Sequence, residues 1–130
     1  MQQQYWAPSS PGDLADRWTI LNLKLAKCPE ADLEKRAACQ RRLEELPVPA
    51  YDSVTTGIVQ ALARVNESLW ELEDTVREVM ALPDTPQQRA RFLGAARCIP
   101  ILNDTRNHLK KRIDELMGYT DVQDVKVYTV

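Results

Sequence analysis

Apolar residues recur along most of the chain at alternating spacings of three and four, the period of a helix with one buried face, and prolines punctuate the pattern. Leu14, Trp18, Leu21 and Leu25 follow at intervals of four, three and four and mark a first helix from Ser10-Pro11-Gly12-Asp13 to about Lys27. Ser10 is placed to cap it, Pro11 takes the first helical position, and Asp13 completes a capping box. A second helix, from about Pro29 to Leu46, is heavily charged, has only Leu33, Ala37, Leu43 and Leu46 as apolar anchors, and is predicted to be the most exposed. Beyond Pro47-Val48-Pro49, the series Ile58, Leu62, Val65, Leu69, Leu72, Val76 and Val79 runs through three heptads. It predicts a helix of about eight turns.

Pro83-Asp84-Thr85-Pro86 then reverses the chain, with Thr85 as N-cap of a last helix antiparallel to the third. Phe92, Ala95, Ile99, Leu102, Leu109, Ile113 and Leu116 form its stripe, and Gly118 is a natural C-terminal cap. Pro100 removes one backbone donor and is expected to kink this helix near the carbonyl of Ala96 without stopping it, because the register continues beyond. The fold class that follows is all-α, an antiparallel four-helix bundle with long third and fourth helices and an extended C-terminal tail. Residues 1–9 are expected to be a flexible N-terminal segment, residues 10–118 the bundle, and residues 119–130 a tail whose alternation at Val122, Val125, Val127 and Tyr128 suits packing on the bundle or on a neighbouring subunit.

Composition narrows the function without naming it. A chain of 130 residues with 44% hydrophobic and 28% charged residues is one domain with enough apolar material for a core. Seventeen basic residues against 19 acidic ones leave no excess with which to hold a nucleic acid duplex or an anionic membrane. One His and three unclustered cysteines, Cys28, Cys39 and Cys98, do not make the usual ligand set of a zinc site or an iron–sulfur cluster. The odd cysteine count and the lack of a basic-then-apolar leader point to a soluble, cytoplasmic protein in a reducing compartment. No cofactor is implied.

The informative residues are polar groups beside the apolar seams. Asn66, Trp70, Glu73 and Arg77 share one face of the third helix; Asn103, Arg106 and Lys110 share one of the fourth, flanked by Arg97 and Asp104; Asp13, Arg17 and Lys24 do so on the first. Arg106 even occupies a position of the apolar stripe. If the three faces converge, they enclose a polar site of both signs, and two readings stay open. The cations Arg17, Arg97, Arg106 and Lys110 receive an anionic ligand, for which Arg forks match phosphate best, with Trp70 stacking a ring. Alternatively the charges pair with one another, or with solvent, and only fix the register of the bundle. Catalytic signals are weak: His108 has no partner at a diagnostic spacing. Glu71-Leu72-Glu73-Asp74 is half of the four-carboxylate magnesium pattern of all-helical nucleotide pyrophosphohydrolases, but Glu44 and Glu45 lack the spacing of the other half.

In order along the chain, Ser10-Pro11-Gly12-Asp13-Leu14, Asp16-Arg17, Thr19-Ile20-Leu21 and Lys24 resemble the opening of a small family of uncharacterised bacterial and phage proteins, SPGEL-x-DK-x-TIL-x-x-K. Asn66, Leu69-Trp70, Glu73-Asp74 and Arg77 resemble its NxxLWxxEDxxR segment, Ala96-Arg97, Asn103-Asp104, Arg106 and Leu109-Lys110 its LAR…NDxRxxLK segment, and Lys126 and Tyr128 its closing EEKSY. Pro100 stands where that family has an aromatic residue, and Val125 and Val127 replace polar residues. The resemblance supplies no reaction; it implies that the polar stripes form a shared site. The expected function is therefore non-catalytic binding of a small anionic ligand, a nucleotide or another phosphorylated molecule, and the phage occurrence suggests sequestration of a signal nucleotide. The candidate ligand-binding residues are Arg17, Lys24, Asn66, Trp70, Glu73, Arg77, Arg97, Asn103, Asp104, Arg106 and Lys110. The alternatives are a homo-oligomeric helical interaction module with a structural polar network, which the long seam and apolar tail favour, and a magnesium-dependent nucleotide pyrophosphohydrolase.

Overall fold

The computed structural model describes residues 10–119, so the expected N-terminal segment and nearly all of the expected tail lie outside the described residues. It contains four helices: α1 (Pro11–Lys27), α2 (Leu33–Glu45), α3 (Ser53–Met80) and α4 (Pro86–Leu116). The fold is an all-α bundle with long third and fourth helices. No helix among the described residues is long and apolar enough to cross a membrane.

Each helix starts where a short polar side chain satisfies its first free amides. Ser10 accepts from the Asp13 amide at 3.1 Å, Asp32 from Lys35 at 3.2 Å, Asp52 from Thr55 at 2.7 Å and Thr85 from Gln88 at 3.2 Å. Proline fills the first position of α1 and α4, where it gives up no hydrogen bond. At its far end α4 stops in a Schellman turn. Gly118, at a φ of 72°, lets its own amide reach the Glu115 carbonyl at 3.1 Å and the Tyr119 amide reach that of Asp114 at 2.8 Å. Between these ends α4 remains helical through Pro100.

α3 and α4 form a long antiparallel hairpin, and α1 lies along one face of it, parallel to α3 and antiparallel to α4. The core sits at the end of this three-helix unit away from the α3–α4 turn, where Ala15, Val59, Leu62 and Ile113 are buried together under Trp18, Tyr51, Ile58 and Leu109. α2 packs only on α1 and buries none of its residues, as its sparse apolar anchors predict. Its position is held by Arg36, whose Nη1 donates to the Leu25 carbonyl at 3.2 Å and the Cys28 carbonyl at 3.1 Å, taking up acceptors at the end of α1.

α1 comes very close to the backbone of α4 at Gly12. A Cβ there would lie 2.2 Å from the backbone oxygen of Lys110 and 2.8 Å from its carbonyl carbon, while the Gly12 amide donates to Asp114 Oδ1 at 2.7 Å. Backbone cannot swing aside as a side chain does, so Gly12→Ala must push α1 off α4. Overpacking typically destabilises by about 1 to 3 kcal/mol, and a backbone clash belongs at or beyond the upper end. Urea unfolding of Gly12→Ala is expected to show a loss of about 3 kcal/mol, whereas Gly57→Ala, with nothing within 4 Å of the new Cβ, gains or stays level.

Candidate functional site: a buried ion-pair hub and a cationic cleft

One turn along α1 from Gly12, the helix meets both hairpin helices through one buried carboxylate. Asp16 is 4% exposed. Its Oδ1 accepts from Arg106 Nε at 2.9 Å and from Asn66 Nδ2 at 3.0 Å, and its Oδ2 accepts from Arg106 Nη2 at 2.5 Å. Asn66 Nδ2 also donates to Thr19 Oγ1 at 2.9 Å, and the Thr19 hydroxyl donates back to the Asp16 carbonyl at 2.8 Å. A forked guanidinium and a side-chain amide thus satisfy an ion that would otherwise be strongly disfavoured in the interior. The hydrogen bond from Arg106 to Asp16, and the nearby charges of Asp16, Glu73 and Asp13, push the guanidinium pKa up. One turn further, Lys110 Nζ lies 2.8 Å from Asp13 Oδ1 and, with smaller help from Ser10 and Arg17, holds that carboxyl below the usual carboxylate range.

Of the candidate residues, Asn66, Arg106 and Lys110 converge at this hub. The charges there are closed on one another: Arg106 has Asp16, with Glu73 and Asp13 within electrostatic reach, and Lys110 has Asp13. Arg106 finds its partner on α1, not at Glu73, Asp74 or Asp104 on the hairpin helices. Asn103 is half-buried, whereas Arg17, Glu73, Arg77, Arg97 and Asp104 are exposed, and Arg77 pairs with Asp74 one turn away on its own helix. Asp16, Thr19, Gly12 and Asp114 complete the set of polar contacts that the stripes alone did not single out. His108 is exposed, and among the described residues no group of three or more His, Cys, Asp or Glu side chains is placed to hold a metal ion.

The other two candidates, Lys24 and Trp70, lie elsewhere. They line a cleft of about 430 Å³ between the end of α1, the outer helix α2 and the side of α3. Lys24 and Lys27 come from the last turn of α1, Lys35 and Arg42 from one face of α2, and Trp70, Cys28, Pro29, Ala38 and Cys39 form the apolar surface between them. No carboxylate is among the lining residues. Of the four cations Lys35 forms an ion pair, with Asp32 at 3.8 Å, and it is an exposed one that solvent screens. Among the described residues Lys24, Lys27 and Arg42 form no ion pair. Sequence reading reached only two of these residues because the cleft is assembled across three helices, and α2 reads along its length as a solvated charged face.

The chain shows no match to protein-family models, to curated proteins or to solved structures.

Two outcomes follow for the hub. Arg106→Gln strands the Asp16 carboxylate and is expected to destabilise by about 3 kcal/mol or more in chemical denaturation, the scale for breaking a buried pair, while Arg97→Gln on the exposed face stays within about 0.5 kcal/mol. The depressed Asp13 carboxyl gives stability that is complete above the unfolded value, about 3.9, and is lost as pH falls through the lower folded value. Melting temperatures of the parent and of Asp13→Asn, compared from pH 7 down to pH 2.5, are therefore expected to differ most at neutral pH and to converge at the acid end.

Proposed function

We propose that this protein binds a small anionic ligand with a planar ring, a nucleotide or a similar phosphorylated molecule, in the cleft between α1, α2 and α3, and does not turn it over. The observation that carries this reading is the juxtaposition of Lys24, Lys27, Lys35 and Arg42 with the half-buried face of Trp70, with no acidic residue in the lining. A volume of about 430 Å³ falls within the range of small-molecule sites. Like charges gathered at a cleft with apolar walls raise the local concentration of an opposite charge, and the guanidinium of Arg42 offers a fork that fits a phosphate. Trp70 and the apolar side chains of Cys39 and Ala38 supply a surface on which a flat ring can lie. Among the described residues the lining holds no imidazole or carboxylate to move a proton, so the chemistry it supports is recognition.

The hub does not favour an anion. Its two cations are set among Asp13, Asp16 and Glu73, and a phosphate would have to displace a carboxylate already held at hydrogen-bond distance. Binding and folding therefore rest on different residues, and this separation makes the proposal testable.

Isothermal titration of the full chain with ATP, AMP, adenosine and inorganic phosphate is the direct experiment. ATP is expected to bind more tightly than AMP, and both more tightly than adenosine, with affinity falling as salt is raised. Each of Lys27→Ala and Arg42→Ala is expected to weaken ATP by roughly tenfold or more, the scale of one charge-assisted hydrogen bond. Trp70→Leu should weaken all three ring-bearing ligands and leave phosphate unchanged. Absence of binding to every compound below millimolar concentration, or equal affinity in Lys27→Ala, Arg42→Ala and the parent, would overturn the proposal.

A further inference from the structure

Two of the three cysteines line the cleft between α1, α2 and α3. Cys28 stands at the C-terminal cap of α1 and Cys39 midway along α2, both half-buried, whereas Cys98 on α4 is exposed. Cys28 Sγ is turned to the Asp32 carbonyl, 4.0 Å away. Cys39 has Lys35 one turn before it and Arg42 one turn after it on the same face of α2, and both of those side chains line the cleft with it. Lys24 and Lys27 add two further cations from α1, so the Cys39 thiol borders a space with four cations and no carboxylate in its lining.

Cys98 is set differently. The groove it lines contains Glu71 and no cation, and its neighbours one turn away on α4, Gly94, Ala95, Ile101 and Leu102, are uncharged. For a neutral thiol reagent, access decides which cysteine reacts first, and Cys98 has the better access. For an anionic reagent the field counts as well, because cations gathered at a cleft with apolar walls raise the local concentration of an opposite charge. Exchange between a thiol and a disulfide gains twice from such a field, since the departing half is itself released as an anion.

We infer that Cys39 is a site of covalent modification by small anionic disulfides, with glutathione disulfide as the chemical type. The thiol gives its proton to solvent, and the Cys39 sulfur attacks one sulfur of the reagent. The new S–S bond forms as the old one breaks, and the second half leaves as a thiolate with the bonding pair. The Cys39 sulfur is thereby oxidised and the leaving sulfur reduced. Lys35 and Arg42 attract the carboxylates of the incoming reagent and stabilise the departing thiolate, and the attached half comes to occupy part of the cleft of about 430 Å³. The reaction rests on the cations that the ligand proposal uses but needs no ring stacking, and it is measured without nucleotide, so each of the two can fail while the other stands.

The unaltered full chain, reduced and near neutral pH, is treated with less than one equivalent of either of two aromatic disulfides. Dithiobis-nitrobenzoate carries a carboxylate on each ring, and dithiodipyridine is neutral; the modified peptides are identified by mass spectrometry. At low salt the anionic reagent is expected to label Cys39 roughly tenfold or more ahead of Cys98, the lower end of electrostatic steering, and the neutral reagent to label Cys98 first. Raising salt from about 20 mM to about 500 mM is expected to erase most of the preference, as the screening length falls from about 20 Å to about 4 Å. Lys35→Ala and Arg42→Ala, at exposed positions, are each expected to slow the anionic reagent at Cys39 several-fold and to leave the neutral one unchanged. Labelling of Cys28 or Cys98 ahead of Cys39 by the anionic reagent at low salt overturns the inference. So does a rate at Cys39 that salt and both substitutions change equally for the two reagents.

Discussion

The architecture depends on a single buried carboxylate. Asp16 enters the interior of the bundle as an ion, and an ion there is tolerated only where its oxygens are filled by donors of fixed geometry. Those donors come from both hairpin helices, Asn66 from α3 and Arg106 from α4, so the requirement to satisfy one residue of α1 sets where α1 lies on the hairpin. A slip of α1 by one turn would move Asp16 away from the guanidinium and at the same time carry Gly12 away from Lys110, where only a glycine permits the contact. Apolar packing supplies most of the stabilisation but is indifferent to register over a turn, because leucine fits many leucine holes. Charge and close approach choose among registers of similar hydrophobic merit, as a single polar residue does in a coiled-coil seam.

This explains which parts of the molecule were legible in the sequence. The helices follow from periodicity and from their caps: Ser10, Thr85 and Gly118 act at the positions their chemistry suggests, because a cap is decided by residues within one turn. α2 begins at Leu33 instead of about Pro29, since Asp32 is the side chain that reaches a free amide. Asn66 and Arg106 stood out because they interrupt apolar seams, and a polar residue in a seam must be answered by another one. The identity of the answer was not legible. Asp16 sits in the charged opening turns of α1 beside Asp13 and Arg17, and nothing local marks it as the one of the three that turns inward.

The exposed members of the predicted stripes illustrate the complementary limit. Arg77 and Arg97 keep correct helical spacing to buried neighbours, yet a stripe at spacings of four and three is about as wide as the contact it borders. Its edge residues can fall on either side of the waterline, and here they fall outside, Arg77 on Asp74. Lys27, Lys35 and Arg42 show a different limit, since their meaning depends on how α2 folds back over α1. That angle is set by the Arg36 hydrogen bonds to Leu25 and Cys28, a tertiary contact with no signature in spacing.

The hub and the cleft differ in what neutralises their cations, and the proposed division between register and ligand rests on that difference. Arg106 and Lys110 are held by carboxylates of the same chain at 2.5 to 2.9 Å, which leaves little field for a visitor and much for the register of the bundle. Lys24, Lys27 and Arg42 gather beside an indole without an acid in the lining, so their mutual repulsion is relieved only by solvent, salt or a bound anion. A group of like charges that the fold leaves uncompensated works slightly against stability, and α2, which carries two of the four cations, buries no residue and is held to α1 in part by the Arg36 hydrogen bonds. An anion in the cleft would bridge α1 and α2 and add attraction where the chain itself supplies little. On that reasoning the weakest-packed helix is also the element whose docking a ligand would most strengthen, and the hub, already closed, would be unaffected.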